Sequence, residues 1–320
     1  MCLFYIKTAQ PKAQLSKDSP VEGSVTLTCS VGSSSSSGWK YFWYRDKKTS
    51  EHLKPGDGVL LQSGSISPSG GGVYWCRGGR GDPVYYTEYS HPVDVPQPVL
   101  TVSPSWTSPG DSVTLTCSVE PPSAGWRFFW YQAVPELSLY YTYELLAGST
   151  TGTVQDSYSL HGQTHTAGYV CRAGRGDPVF YTLYSDVKFV WSGGEFVHTC
   201  IFLHKRINVL FVLKLFVLCV SPNDVSSGVN PVASLTVSPH RLQHFSTESL
   251  SLSCEGNSTE WRVMKASNYG HVYIGCNWGQ MTGSTCNTDT RASSGVYWCE
   301  SATQSSNAAN ITTHSEFTFI

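Results

Sequence analysis

Eleven cysteines are the residues of this 320-residue chain with the most chemistry to offer. They could hold metal or join as disulfides, and spacing separates the two uses. No Cys-x2-Cys pair occurs, which argues against zinc. His161 and His165, and His240 and His244, are four apart, as in helical zinc motifs. Those motifs carry a Glu between the histidines, and here there is none, nor does either segment read as helix. Gly70-Gly71-Gly72 precedes a strand rather than a helix, so no helix N-terminus would face a phosphate there. No nucleophile stands beside a base, and no carboxylates are spaced for acid–base work. The sequence therefore predicts no catalysis, no cofactor and no metal.

Eight of the cysteines instead fall inside internal repeats, which set the domain count. Ser24-Val-Thr-Leu-Thr-Cys29-Ser-Val recurs as Ser112-Val-Thr-Leu-Thr-Cys117-Ser-Val. Gly38-Trp39-Lys-Tyr-Phe-Trp43-Tyr44 recurs as Gly125-Trp126-Arg-Phe-Phe-Trp130-Tyr131. A weaker third copy runs from Ser249-Leu-Ser-Leu-Ser-Cys254 to Gly295-Val-Tyr297-Trp-Cys299. Each copy opens with strict apolar–polar alternation, the period of a half-buried strand. Each closes with Tyr two residues before Cys: Tyr74 and Cys76, Tyr169 and Cys171, Tyr297 and Cys299. A Cys, a Trp (Trp43, Trp130) and a Tyr-x-Cys make the pattern of an immunoglobulin sandwich. It predicts an all-β chain of three tandem immunoglobulin-like domains. The bridges would be Cys29–Cys76, Cys117–Cys171 and Cys254–Cys299, with the Trp packed on the bridge and the Tyr hydroxyl tying a corner to the backbone. Separations of 47, 54 and 45 residues favour the smaller, constant-like form. Cys276 and Cys286 are expected to bridge each other. In the third copy Trp261 lies only seven residues after Cys254, so it is either the core Trp or the counterpart of Trp39 and Trp126.

The composition agrees. Charged residues are 14%, against about 25% in ordinary domains. Aromatics are 13% and the net charge is −2, with no basic cluster beyond a pair such as Lys47-Lys48. That excludes a nucleic-acid binder, which needs a basic face for phosphates, and a disordered chain, which lacks aromatics. The disulfides require an oxidising compartment. So do the glycan acceptors Asn257-Ser-Thr and Asn310-Ile-Thr.

Cys2, Cys200 and Cys219 lie outside the repeats. Cys76 to Cys117 is 41 residues, whereas the corresponding step from Cys171 to Cys254 is 83. The excess of 42 equals the length of Phe189–Asn230, which holds two of the odd cysteines and an apolar run around Lys214. A membrane span there would leave the third unit, its disulfides and its sequons in the cytosol. The stretch is therefore expected to be non-native sequence, most simply a translated intron. The domains would then cover 11–96, 97–188 and 231–320. The short Pro96-Gln-Pro98 junction is expected to hold the first two at a fixed angle. The opening residues lack the pattern of a secretory signal.

The chain carries the strings Ser-Val-Thr-Leu-Thr-Cys29, Gly-Trp-Lys-Tyr-Phe-Trp-Tyr44, Cys-Arg-Gly-Gly-Arg-Gly-Asp-Pro83, Glu255-Gly-Asn-Ser-Thr-Glu-Trp-Arg262, Gly283-Ser-Thr-Cys286 and Tyr-Trp-Cys-Glu300-Ser. In these it resembles the ectodomains of Fc receptor-like and related leukocyte immunoglobulin-superfamily receptors, especially those of bony fish. The resemblance implies a plasma-membrane receptor of immune cells, with a signal peptide and membrane anchor that this sequence does not contain. It implies a protein ligand, with immunoglobulin Fc a candidate, and leaves oligomeric state open.

Two local features invite a binding role. Arg80-Gly81-Asp82 and Arg175-Gly176-Asp177 sit four residues after a core cysteine, at a predicted hairpin tip. They read as integrin-binding loops, the basis of an alternative adhesion function, or as turn chemistry, since Gly-Asp-Pro supplies the backbone angles of a tight turn. Recurrence at the same place in both repeats favours the turn. Tyr85, Tyr86, Tyr89, Tyr140, Tyr141, Tyr143, Phe180, Tyr181 and Tyr184 exceed what small cores need. They read as cross-strand packing, with a ligand surface as the second reading.

Overall fold

The computed structural model describes residues 11–16, 25–31, 38–47, 51–54, 58–61, 64–68, 70–108, 110–120, 122, 125–136, 141–177, 179–193, 233–240, 243–246, 248–268, 271–288 and 293–314. All regular structure among them is strand. Cys2, Cys200, Cys219, the Lys214 run and Tyr140 lie outside the described residues.

The first unit contains β1 (Pro11–Ser16), β2 (Thr26–Val31), β3 (Lys40–Arg45), β4 (Gly58–Leu61), β5 (Ser65–Pro68), β6 (Gly72–Arg80), β7 (Tyr85–Tyr86) and β8 (Val93–Val95). One sheet has the order β1-β2-β5-β4, and the facing sheet joins β6 to β3, β7 and β8. The second contains β9 (Val99–Ser103), β10 (Trp106–Thr107), β11 (Ser112–Ser118), β12 (Arg127–Pro135), β13 (Tyr141–Leu145), β14 (Ser157–His161), β15 (Ala167–Arg175), β16 (Phe180–Tyr181) and β17 (Lys188–Ser192). Its sheets run β14-β11-β9 and β10-β17-β15-β12-β13, with β16 on β15. The third contains β18 (Ala233–Ser238), β19 (Gln243–Phe245), β20 (Ser251–Gly256), β21 (Arg262–Ala266), β22 (Val272–Ile274), β23 (Gly279–Thr282), β24 (Thr285–Thr288), β25 (Gly295–Glu300) and β26 (Ala309–His314). Its sheets run β18-β20-β24-β23 and β19-β26-β25-β21-β22.

Alternation in the sequence becomes alternation of burial. Val113, Leu115 and Cys117 of β11 are buried while Ser112, Thr114 and Ser118 are exposed. Leu27 and Cys29 do the same in β2. The facing sheets are tied by Cys29–Cys76, Cys117–Cys171 and Cys254–Cys299, with Cα separations of 6.3, 6.3 and 5.8 Å. In the first two units a tryptophan sits across the ladder from the second cysteine: Trp43 opposite Cys76, Trp130 opposite Cys171. These are three tandem immunoglobulin-like sandwiches.

The third unit resolves the tryptophan question against both expected alternatives. Val263 stands opposite Cys299, so the core position holds valine. Trp261, two residues earlier, takes the place of Tyr41 and Phe128 rather than of Trp39 and Trp126. The lost volume is made up from the other sheet. Cys276 bonds Cys286, and Trp278 packs beside the bridge with its ring 5.9 Å from that of Tyr297. The tyrosine corner also varies. Tyr74 and Tyr297 hydroxyls donate to the carbonyls of Gly70 and Ser293 at 2.6 Å. In the second unit the Gln163 amide instead donates to the Tyr169 hydroxyl at 2.7 Å and to the His165 carbonyl at 3.3 Å.

The expected inserted stretch cannot begin at Phe189. β17 pairs with β15, and Val190 is fully buried in the core of the second unit. Phe189 and Trp191 point outward from the same strand. They stack at 4.9 Å, and each ring centroid lies 5.0 Å from that of Trp298 in the third unit. Met264, Ala266 and Ala308 complete this junction. Each large side chain so buried contributes about 1.5–3 kcal/mol. The first junction is built differently. Leu183 of the second unit enters the core of the first, and its amide donates to the Pro96 carbonyl at 3.1 Å. Gln97 accepts from the Gly71 amide at 2.9 Å and donates to the Tyr184 carbonyl at 3.2 Å.

The two ends flanking 194–232 meet at one place. The Ala308 amide donates to the Ser192 carbonyl at 2.8 Å. The neighbouring Asn307 accepts from the Leu235 amide at 2.9 Å. About six residues, at roughly 3.3 Å each, would span that gap. Replacing 194–232 by a Gly/Ser linker of that length is expected to leave the thermal unfolding of the second and third units unchanged by calorimetry. A fall of several degrees would mean that the segment supports the junction.

Candidate functional site

No group of three or more metal-ligating side chains forms among the described residues. What the sheets do build, three times, is one outward face. On β3 and β6, Trp43 and Cys76 point inward, so Phe42, Tyr44 and Arg77 point outward. On β12 and β15 the same parity puts Phe129, Tyr131 and Arg172 outside. The segment that follows each hairpin is held by hydroxyls. Thr87 and Ser90 accept from the Gly78 and Cys76 amides at 3.0 Å, and Thr182 and Ser185 accept from Ala173 and Cys171 at 3.0 Å. This spacing of three carries Tyr86 and Tyr89, or Tyr181 and Tyr184, over the arginine.

Each arginine then lies inside a tyrosine cluster. Arg77 Nε donates to the Tyr44 hydroxyl at 2.8 Å, and its guanidinium sits 3.9 Å from the Tyr86 ring centroid and 5.0 Å from that of Tyr89. Arg172 Nε donates to Tyr131 at 2.9 Å, and its guanidinium is 4.1 Å from Tyr181 and 5.0 Å from Tyr184. Such cation–π contacts strengthen when desolvated. Burial raises the pKa of Tyr44 and Tyr131, and the neighbouring arginine offsets part of that rise. Gly79 and Gly174 leave room for the ring above them. A Cβ on Gly79 would lie 2.8 Å from Phe42, and one on Gly174 would lie 2.9 Å from Tyr181. The surplus tyrosines are thus largely sheet packing, while Tyr85 and Tyr86 stay exposed. Tyr141 belongs to the junction with the third unit, where its ring lies 6.3 Å from Phe189.

The third copy of the face is occupied from within the chain. Glu300 replaces the arginine, directly after Cys299. It accepts from Trp298 Nε1 at 2.7 Å and from the Tyr141 hydroxyl at 3.4 Å. Arg262 lies alongside, with Nη1 donating to the Glu136 carbonyl at 2.7 Å. Only 4% of Glu300 is exposed, and this burial raises its pKa above the ordinary carboxylate range.

The Arg-Gly-Asp segments form the predicted hairpin tips. Arg80, Gly81 and Asp82, and Arg175, Gly176 and Asp177, are all exposed. Gly81 and Gly176 have φ of 90° and 85°, a conformation that favours glycine. Arg175 folds back so that its guanidinium lies 4.5 Å from the Trp126 ring. Asn257 and Asn310 are both exposed. A cleft of about 440 Å³ opens at the first junction between Pro68, Gln97, Tyr143, Tyr184 and Asp186.

No family model matches the chain, and no curated protein matches it. Among solved structures, the crystal structure of murine CEACAM1b is similar, at 14% identity and a TM-score of 0.21, over 68% of this chain and 100% of that one. The fold stands on the sheets and bridges above, not on that likeness.

Glu300 gives a pH signature. With its pKa raised in the folded state, the native chain holds a proton that the unfolded chain has released. The stabilisation is complete below about pH 4.5 and is lost as pH rises toward the folded value. Glu300→Gln, which keeps the hydrogen bonds and removes the charge, is expected to raise the melting temperature at neutral pH. The gain over the parent should shrink as the pH approaches the ordinary carboxylate value. An equal gain at every pH would show that the carboxyl is not buried as a charge.

Proposed function

We propose that this chain is the extracellular part of a cell-surface immune receptor that binds a protein ligand, with immunoglobulin Fc the leading candidate. The observation that carries the reading is the aromatic face of the first unit. Val84, Tyr85 and Tyr86 are 46%, 52% and 41% exposed, beside a stacked arginine. Tyrosine and arginine anchors concentrate binding energy at protein interfaces. Three disulfide-bridged sandwiches in series suit an extracellular setting, since such bridges persist under oxidising conditions. The resemblance of the repeat strings to Fc receptor-like ectodomains supplies the ligand class. Glycans on Asn257 and Asn310, and attachment to a membrane, belong to the same reading.

A second reading is integrin-dependent adhesion, favoured by the exposed Arg80 and Asp82. The stacking of Arg175 on Trp126 speaks against it in the second unit. One experiment separates the two. Purified immunoglobulin is passed over the immobilised ectodomain, and integrin-bearing cells are allowed to settle on it. The receptor reading expects immunoglobulin to bind, and to bind equally after Arg80→Ala with Asp82→Ala. Cell attachment that disappears in that double variant, with no immunoglobulin bound, would favour adhesion instead.

A further inference from the structure

The same outward face occurs three times, and among the described residues the copy in the first unit keeps an exposed aromatic rim. In the third unit it is covered by Phe189 and Trp191 of the second. In the second unit Tyr131, Tyr181 and Tyr184 close over Arg172, which is only 6% exposed, and Tyr143 packs on Tyr184 at 4.7 Å. The other cation of that face, Arg127, is spent on the Thr151 and Gly152 carbonyls at 2.6 and 2.8 Å. In the first unit Tyr44, Tyr86 and Tyr89 surround Arg77 in the same way, yet that arginine stays partly exposed where Arg172 is buried. Beside β3 the Leu53 amide donates to the Trp43 carbonyl at 2.8 Å, as Leu146 does to Trp130, and His52 meets Phe42 edge-on at 5.3 Å. Arg77 is partly exposed, and no described carboxylate pairs with it. The Lys40 side chain, in the register position of Arg127, is exposed and makes no hydrogen bond or ion pair among the described residues. The Arg77 ring contacts fix the guanidinium plane, and Tyr44 takes Nε. The two terminal nitrogens remain as a pre-oriented fork, the geometry that receives a carboxylate at two points.

We infer that this face of the first unit docks a protein surface presenting one Asp or Glu side chain to Arg77 and Lys40, inside an apolar ring over Val84, Tyr85 and Tyr86. Two cations suit a single carboxylate and fall short of the broad basic face that a nucleic acid requires. The exposed aromatic rim needs contact area that a free small anion does not offer. The inference rests on the recognition function proposed above and adds the place and the chemistry of contact.

The test pans a random peptide library, displayed on phage, against the folded full chain, so that no ligand need be known. Enriched peptides are then measured on variants. The expected result is enrichment of peptides carrying Asp or Glu among apolar residues. Their binding should fall by about tenfold or more with Arg77→Gln, fall less with Lys40→Gln, weaken with salt, and be unchanged with Arg127→Gln. Should Arg77→Gln melt early, the exposed Lys40→Gln carries the test alone. Peptides without acids, or undiminished binding to both first-unit variants, would overturn this inference and leave the recognition function standing. Failure of any peptide to enrich on the chain would count against both.

Discussion

One disulfide buried between two sheets is the constraint on which each unit depends. It fixes which faces of two distant strands look inward. From Cys29 and Cys76, or Cys117 and Cys171, the parity of every neighbouring residue follows, because side chains alternate along a strand. Closing a loop of about 50 residues also restricts the unfolded chain, by roughly 4 kcal/mol in the entropy account. For sandwiches of this size that is a large share of a stability of about 5–15 kcal/mol. The outward face is then the mirror of the core. Arg77 is outside because Cys76 is inside.

That mirrored face is where the three copies diverge. An arginine among tyrosines makes a polar centre to this face in the first two units. Glu300, flanked by Met264 and Trp298, makes an apolar one that must be covered. The cover comes from β17, where Phe189 and Trp191 stand. The equivalent strand of the first unit carries Asp94 opposite Val73, where β17 sets Phe189 opposite Gly168. Asp94 does not offer the ring surface that Phe189 presents to Trp298. The buried Glu300 costs desolvation, and its hydrogen bonds from Trp298 and Tyr141 make that burial specific rather than merely tolerated.

Most of the fold was legible in the sequence. The alternation of Val113, Leu115 and Cys117, and the recurring Tyr-x-Cys, report a strand period and a bridge, both local properties of the chain. The Arg-Gly-Asp turns were legible for the same reason, since a glycine with positive φ leaves a local mark. The candidate face was legible only as a surplus of tyrosines. Its arginines were overlooked, although Cys76-Arg77 and Cys171-Arg172 recur in sequence and parity alone would have placed them outside.

Three things were decided by tertiary structure. The first is where the second unit ends. Counting residues between cysteines gave Lys188, but Phe189–Ser192 is strand, because Val190 fills a core that spacing does not reveal. The second is the core of the third unit, where Val263 replaces tryptophan and Trp278 with Cys276–Cys286 supplies volume from the opposite sheet. The third is how far the described residues cover each of three similar faces. Sequence determines local periodicity, turn conformation and pairing of cysteines, each set by neighbours along the chain. Exposure of a face is set by what other units place over it, a long-range packing outcome that the residues of the face do not themselves encode.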